Sequence, residues 1–531
     1  MPDRIFLNAN VITMDPARPS AEAVVVEGER IAFVGGNDEA RAFARPGARA
    51  LDLAGQTLVP GFNEAHNHML MFGQTLTQVD ASYPTVQSIA EIVRAFAARA
   101  GETPAGGWVR GRGYDDNKLR ERRHPTRQDL DAAVPDRPAI VVNSSGHMCV
   151  ANSRALELAG VGRDTPDPQG GHIVRDEHGE PTGLLQETAQ ELVTRHIPKP
   201  TAADMREALR RCCAAYAAAG ITSSQDASSS TALEVSTYVD ARNAGELSLR
   251  TNLMIRDNLL PHLAEIGLRG GFGDDRLRIG PIKFFIDGSL IGRTAAVSQP
   301  FLADPRDDNL GLWMMPEEEF IERVWRAHSA GFQVATHAIG DRAIELTLDA
   351  YERALERQPR AEHRHRIEHC GILRPDLIER LRQGRFLAVS QPIFVSEYGD
   401  GFRRHLGEAR IQLTYPFRSL LDAGVTLVFS SDCPVSAYQP LKGIRDSVYE
   451  RTGSGAAYAL EEAITVEEAL HAYTVAGAYA SFEEGRKGQI KPGLLADLTV
   501  LARDPREVEP SAIADVPVAM TIVGGETIYE G

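Results

Sequence analysis

Over residues 61–484 short apolar segments alternate with amphipathic ones, and no other feature of the chain constrains its fold as much. Strand candidates fall at residues 61–68, 139–143, 221–225, 278–286, 332–337, 365–369, 386–390 and 425–430. Helix candidates include 89–100, 203–219, 317–330, 342–356, 375–383 and 466–480. Strands separated by helices pair in parallel, because each crossover brings the chain back to the same end of the sheet. The count of eight strands favours a (β/α)8 TIM-like barrel over an open α/β sheet. No Gly-x-Gly-x-x-Gly follows a strand, which speaks against a dinucleotide-binding Rossmann domain.

The two ends read differently. Residues 4–34 are short β-rich runs joined by Glu27-Gly28-Glu29 and Gly35-Gly36 turns, and 50–60 continue in that style. The stretch from Gly488 to Tyr529 has the same texture, with Leu498-Thr499-Val500-Leu501 and Met520-Thr521-Ile522-Val523 at its centre. Neither end holds enough strand for a good sheet alone. Chain termini are often close in space, so a small β-sandwich built from 1–60 and 485–531 is expected around a barrel of 61–484. Two stretches exceed minimal barrel loops, 74–136 and 160–187. Long ordered insertions at a barrel mouth are commonly lids or pocket walls. The second stretch, with Gly170-Gly171-His172-Ile173-Val174 and Thr182-Gly183-Leu184-Leu185, reads as a hairpin.

Composition narrows the partners. A net charge of −16 without long charge blocks disfavours nucleic acid and anionic membrane. No apolar run approaches the roughly 20 residues that span a bilayer. The first residues lack the basic-then-apolar layout of a signal peptide, so the expected location is cytoplasmic. The five cysteines, Cys149, Cys212, Cys213, Cys370 and Cys433, suggest buried thiols rather than a disulfide framework. An oligomer is compatible with the sequence, and nothing in it sets an order.

Reactive groups of a barrel gather at the C-terminal ends of its strands. The first strand ends in His66-Asn67-His68, whose alternate side chains share a face. Lys283 lies inside the apolar run Ile282-Lys283-Phe284-Phe285. The next strands end in His337, His369 and, for the last, Asp432. Each has a plainer reading alone: a hydrogen-bonded strand-end histidine, a snorkelling lysine, a helix-capping aspartate. Their conjunction at strand ends is the informative feature, since imidazole and carboxylate suit Zn²⁺ and related divalent ions. His363 and His365 share the face of His369 by period-2 counting and rank lower. His124, His178, His196, His262 and His328 are expected to be solvated.

His66-x-His68, Lys283, His337, His369 and Asp432, in that order, resemble the amidohydrolase superfamily. The flanking text is similar to its YtcJ-like branch, which includes N-substituted formamide deformylases: Gly61-Phe62-Asn63-Glu64-Ala65, Gly146-His147-Met148, Asn152-Ser153-Arg154-Ala155-Leu156, Gly183-Leu184-Leu185-Gln186-Glu187, Lys283-Phe284-Phe285-Ile286-Asp287-Gly288-Ser289 and Ser431-Asp432-Cys433-Pro434. The resemblance spans nearly the whole chain. It implies one or two divalent ions, Zn²⁺ in kind, with His66 and His68 on one, His337 and His369 on the other, and a carboxylated Lys283 bridging them. Some superfamily members use one metal, with the aspartate as a ligand. The resemblance also implies that a hydroxide between the metals attacks a carbonyl and that Asp432 moves the proton. His147 would be a pocket residue that hydrogen-bonds substrate, or a structural histidine. Glu187, Gln391 and Arg293 are weaker pocket candidates.

The expected reaction is hydrolysis of a linear, non-peptide amide C–N bond in a small molecule. Met69, Met71, Phe72, Tyr83, Tyr114, Trp313, Met314, Met315, Phe394 and Tyr398 could wall an apolar pocket or could be ordinary packing. A wall of that kind suits an amide carrying an apolar or aromatic group. The alternatives are a deaminase, cyclic amidase or esterase/lactonase on the same site, or a non-catalytic, metal-bound regulatory protein.

Overall fold

The structure, a computed structural model, describes residues 3–144, 147–302 and 308–531. The chain divides into two compact units, residues 1–72 with 209–531, and residues 73–208.

The first unit holds eight parallel strands in sequential order: β1 (Phe62–Asn67), β2 (Ile221–Ser229), β3 (Arg250–Arg256), β4 (Leu277–Phe285), β5 (Val334–Ala338), β6 (Arg366–His369), β7 (Leu387–Ser390) and β8 (Leu427–Phe429). This is a nearly closed (β/α)8 barrel. Register places Lys283 of β4 beside Ala335 of β5, and Phe285 beside His337; His337 in turn pairs with Glu368 of β6. Ala227, Met254 and Ala335 form a small apolar cluster. By period 2, Lys283 and His337 share the faces of Phe285 and Ala335.

Helices pack on the outside with one apolar stripe each. In the helix Asp341–Arg357, Ala343, Ile344, Leu346, Thr347, Leu348, Ala350, Tyr351 and Ala354 are buried, and the Tyr351 hydroxyl donates to Thr336 Oγ1 and Arg366 O at 2.8 and 2.9 Å. That anchors the helix to β5 and β6.

Strands β1 and β8 meet at a seam closed beyond their ends. The Asp432 N–H donates to His66 O at 2.9 Å, and the His68 N–H donates to Cys433 O at 2.8 Å. The Ser431 N–H donates to Glu64 Oε1 at 2.7 Å.

One expected barrel strand is corrected. Residues 139–143 form a strand, Ala139–Asn143, but it belongs to the sheet of the second unit. Its place in the barrel is taken by Arg250–Arg256. That run, Arg250-Thr251-Asn252-Leu253-Met254-Ile255-Arg256, hid because half of it is polar. Arg250 is fully buried all the same, and its guanidinium forms a two-pronged ion pair with Asp497 at 2.6 and 2.9 Å.

Asp497 comes from the C-terminal β-rich stretch. There, Leu498–Leu501 pairs antiparallel with Thr57–Pro60, so the two ends of the chain share one six-stranded sheet. A four-stranded sheet, Arg30–Gly35, Ala23–Glu27, Arg4–Leu7 and Arg49–Asp52, accompanies it. Phe6, Val24, Val26, Leu58, Leu498, Val500 and Ile522, drawn from both sheets, make one core. Gly220 is needed where this layer meets β2. Its φ is +81°, and a Cβ there would lie 2.7 Å from the Thr499 methyl.

The second unit has its own six-stranded mixed sheet, ordered Gly171–Arg175, Pro181–Glu187, Met148–Ala151, Ala139–Asn143, Val109–Tyr114 and Val79–Asp80. The first two form the hairpin read at 160–187. Ile92, Phe96 and Leu130, from the helices Ile89–Glu102 and Arg127–Ala133, pack with Val109, Val141 and Val150 in its core. Among the described residues no helix is long and apolar enough to cross a membrane. No cysteine forms a disulfide, and all five are buried.

Candidate metal centre

The strand ends of the barrel converge on a cavity of about 410 Å³. His66, His68, His337, His369 and Asp432 line it together with apolar side chains that include Phe285, Leu290, Ile339, Phe394, Tyr398 and Tyr415.

His66, on β1, is fully buried. Its Nδ1 donates to the carboxylate of Glu368. Its Nε2 lies 3.3 Å from Lys283 Nζ and 3.4 Å from Asp432 Oδ1. His68 follows β1, with Nε2 3.2 Å from the same Asp432 oxygen. The ring of His369 is 4.8 Å from that of His66 and 4.4 Å from that of His337.

Strand period alone does not produce this cluster. Arg366 and Glu368 alternate inward on β6, and Arg366 reaches Gln225 Oε1 at 2.6 Å across the barrel. In a regular strand His369 would then point outward with Ile367. It turns inward because its backbone is left-handed, with φ +71°, followed by Cys370 at +52°. Asp432 is turned the same way, at φ +62°. Non-glycine residues seldom hold such angles unless the surroundings impose them.

The partners of the imidazoles set their tautomers, since each is acceptor-only. His66 gives its Nδ1 proton to Glu368, His369 gives its Nδ1 proton to Gln391 Oε1 at 2.8 Å, and His337 gives its Nε2 proton to Gly288 O at 2.9 Å. Burial holds His66 and His369 well below the usual imidazole range and pushes His337 down to about 3; the nearby Lys283 charge adds to the effect on His66 and His337. All three are therefore neutral near pH 7, and the lone pair of His66 Nε2 accepts from Lys283 Nζ at 3.3 Å. Lys283 is fully buried, has no carboxylate within ion-pairing distance among the described residues, and is pushed down to about 8 by burial.

His66 Nε2 faces Asp432 Oδ1 at 3.4 Å and Lys283 Nζ at 3.3 Å. His66, His68 and Asp432 offer three ligand atoms within 4.8 Å of one another. Imidazole nitrogen with carboxylate oxygen suits a borderline divalent ion such as Zn²⁺. The residues present fit the metal that the sequence resemblance implies.

The other expected residues are placed as follows. His147 lies in the unit of residues 73–208, more than half exposed, with Nδ1 3.1 Å from Glu187 Oε2; Gly146 beside it lies outside the described residues. Gln391 orients His369. Arg293 stands in the loop after β4 with φ +53°. Of the ten aromatic and methionine residues considered as a wall, Phe394 and Tyr398 line the cavity, whereas Phe72 stacks on Tyr216 at 5.6 Å and Met71 and Met314 are exposed. His328 is not solvated as expected. It is fully buried, with Nδ1 2.8 Å from His365 Nε2. Sequence reasoning missed Arg366 and Glu368. Their signal was two charges, i and i+2, inside a strand too short to leave the barrel.

Residues 49–529 match the amidohydrolase family. The N-substituted formamide deformylase of Arthrobacter pascens is 34% identical, over 100% of this chain and 99% of its own. YtcJ of Bacillus subtilis (strain 168) is 30% identical over 98% of each. An uncharacterized metal-dependent hydrolase from Pyrococcus horikoshii OT3 superposes with a TM-score of 0.78 at 28% identity, over 96% of this chain and 99% of that one. The chain belongs to the amidohydrolase family, in its YtcJ-like branch, and is a hydrolase acting on carbon–nitrogen bonds.

Proposed function

We propose that this chain hydrolyses a linear amide of a small molecule that carries an apolar or aromatic group. An N-substituted formamide, the class in the name of the Arthrobacter pascens relative, is one such amide. The observation that carries the reading is the cavity itself, lined by four imidazoles and one carboxylate together with aromatic and aliphatic side chains.

His66, His68 and Asp432 would hold one divalent ion, Zn²⁺ in kind, and His337 and His369 a second. Lys283 would be shared between them as a carbamate. Its buried amine is neutral more readily than an exposed one, and the neutral amine adds to CO₂ with loss of a proton. An ion so held would supply Lewis acidity, polarising the amide carbonyl and making a water acidic near neutral pH.

The chain's own groups do the rest. Asp432 Oδ1, on the cavity side of His66 and His68, takes the proton of the attacking water and returns it to the departing nitrogen. Glu368, Gln391 and Gly288 fix which imidazole nitrogens face the cavity. Phe394, whose ring lies nearly parallel to that of His369 at 6.3 Å, and Tyr398 give an apolar substituent its surface.

A screen of N-formyl, N-acyl and ester substrates with and without a chelator tests the proposal. An amide with an aromatic substituent should be cleaved to carboxylate and amine, and chelation should abolish cleavage. Ammonia as the product, ester cleavage alone, or activity indifferent to the chelator would sink it.

A further inference from the structure

The cavity histidines are held from behind by unequal partners. His66 leans on a full carboxylate, Glu368, which is itself gripped by the buried guanidinium of Arg366. His369 leans on a neutral amide, Gln391, and His337 on a peptide carbonyl, Gly288 O. An anion behind an imidazole raises the electron density on the opposite ring nitrogen more than a neutral dipole does.

The charges facing the cavity are distributed the same way. Asp432 Oδ1 lies within 3.4 Å of both His66 Nε2 and His68 Nε2. Among the described residues no carboxylate stands within ion-pairing distance of His369. The carboxylate near His337 is Asp287, 3.6 Å from the nitrogen already committed to Gly288. Asp287 is otherwise taken up by the N–H groups of Ala296, Ile339 and Gly340 at 2.9–3.1 Å.

Resting on the metal reading above, we infer that the two halves of the centre differ in affinity. The His66–His68–Asp432 half fills first and keeps its ion; the His337–His369 half is the weaker and exchanges. Glu368 and Gln391 are the positioning residues that set the difference. A single ion at limiting metal therefore occupies the half that joins β1 to β8.

The test is a Co²⁺ titration of demetallated protein, read by visible absorption and equilibrium dialysis rather than by turnover. The first step of uptake should survive His337→Ala and vanish in His68→Ala. Glu368→Gln should weaken that first step by about 10- to 100-fold, the range known for partners of metal-bound histidines. Gln391→Glu should tighten the second step by roughly tenfold, since it places an anion behind His369. If Glu368→Gln fails to fold because Arg366 loses its counter-charge, Gln391→Glu decides alone. Two equal steps in the wild type, a first step that persists in His68→Ala, or a second step that Gln391→Glu leaves unchanged overturns the inference with the metal reading intact. No Co²⁺ uptake by the wild type removes the metal reading itself.

Discussion

Two histidine clusters lie on opposite faces of β6. The inner one is His66, His68, His337 and His369. The outer one is His328, His363 and His365, packed against Tyr351 and Phe386. Burial depresses imidazoles in both: it holds His66 and His369 well below the usual range and pushes His337 down to about 3, and it pushes His363 down to about 4 and holds His365 well below the usual range. Neither burial nor depressed basicity separates a site from a core. What the ring nitrogens face does. In the outer cluster His328 Nε2 donates to Gln358 O, His363 Nε2 donates to Gly384 O, His365 Nδ1 accepts the Val334 N–H, and His363 Nδ1 accepts the His365 N–H. The remaining two nitrogens, His328 Nδ1 and His365 Nε2, meet each other. The outer histidines are mortar between strand and helix. The inner ones line a cavity, where His66 Nε2 and His68 Nε2 converge on Asp432 Oδ1 at 3.4 and 3.2 Å and His66 Nε2 also meets Lys283 Nζ.

The sharpest way to break this contrast is at Asp432. Asp432→Asn should lower kcat/KM by about 10²- to 10⁴-fold, the usual contribution of a positioned acid–base group. A variant that kept near-full rate would leave the inner cluster no better than the outer as a catalytic site.

Acid is the next probe. His363 has a folded value near 4 against an ordinary 6.5, so between these limits the unfolded chain takes up protons that the folded chain refuses. Stability from the outer cluster is therefore complete above about pH 6.5 and lost as pH falls towards 4. Urea unfolding at pH 7, 5.5 and 4.5 should show this decline with or without Zn²⁺. A decline fully cancelled by Zn²⁺ would mean that the outer cluster also binds metal.

The mildest test replaces an outer histidine. His365→Leu leaves the Val334 N–H and one nitrogen of His328 without partners, costing about 1–3 kcal/mol. Metal content and KM should stay as in the wild type. A loss of bound metal at unchanged fold would erase the distinction between the faces.

Most of the inner cluster was legible in the sequence. His66, His68, His337, His369 and Asp432 were found at strand ends and Lys283 within a strand; the five line the cavity, with Lys283 buried 3.3 Å from His66. The inner and outer faces of β6 were not separable. Period-2 counting put His363, His365 and His369 together, because a left-handed backbone at His369 leaves no mark in the letters. The barrel count came to eight with one wrong member. Arg250–Arg256 reads as polar since Arg250 is matched by Asp497, 247 positions away, and a single strand carries no trace of so distant a partner. Glu368 was overlooked for a related reason. A charge inside a barrel makes sense only once Arg366 and His66 are seen around it.

The seam between β1 and β8 has a consequence for how the protein is made. Glu64 and Ser431, which meet there, are 367 positions apart. During synthesis His66 and His68 leave the ribosome among the first barrel residues, and Asp432 among the last. Until then the two histidines have no Asp432 in front of them, and until β6 emerges His66 has no Glu368 behind it. A prematurely terminated chain can build much of the wall but not the Asp432 side of the ligand set. Under the proposed function, a chain truncated before Ser431 should therefore retain less Zn²⁺ than the full one.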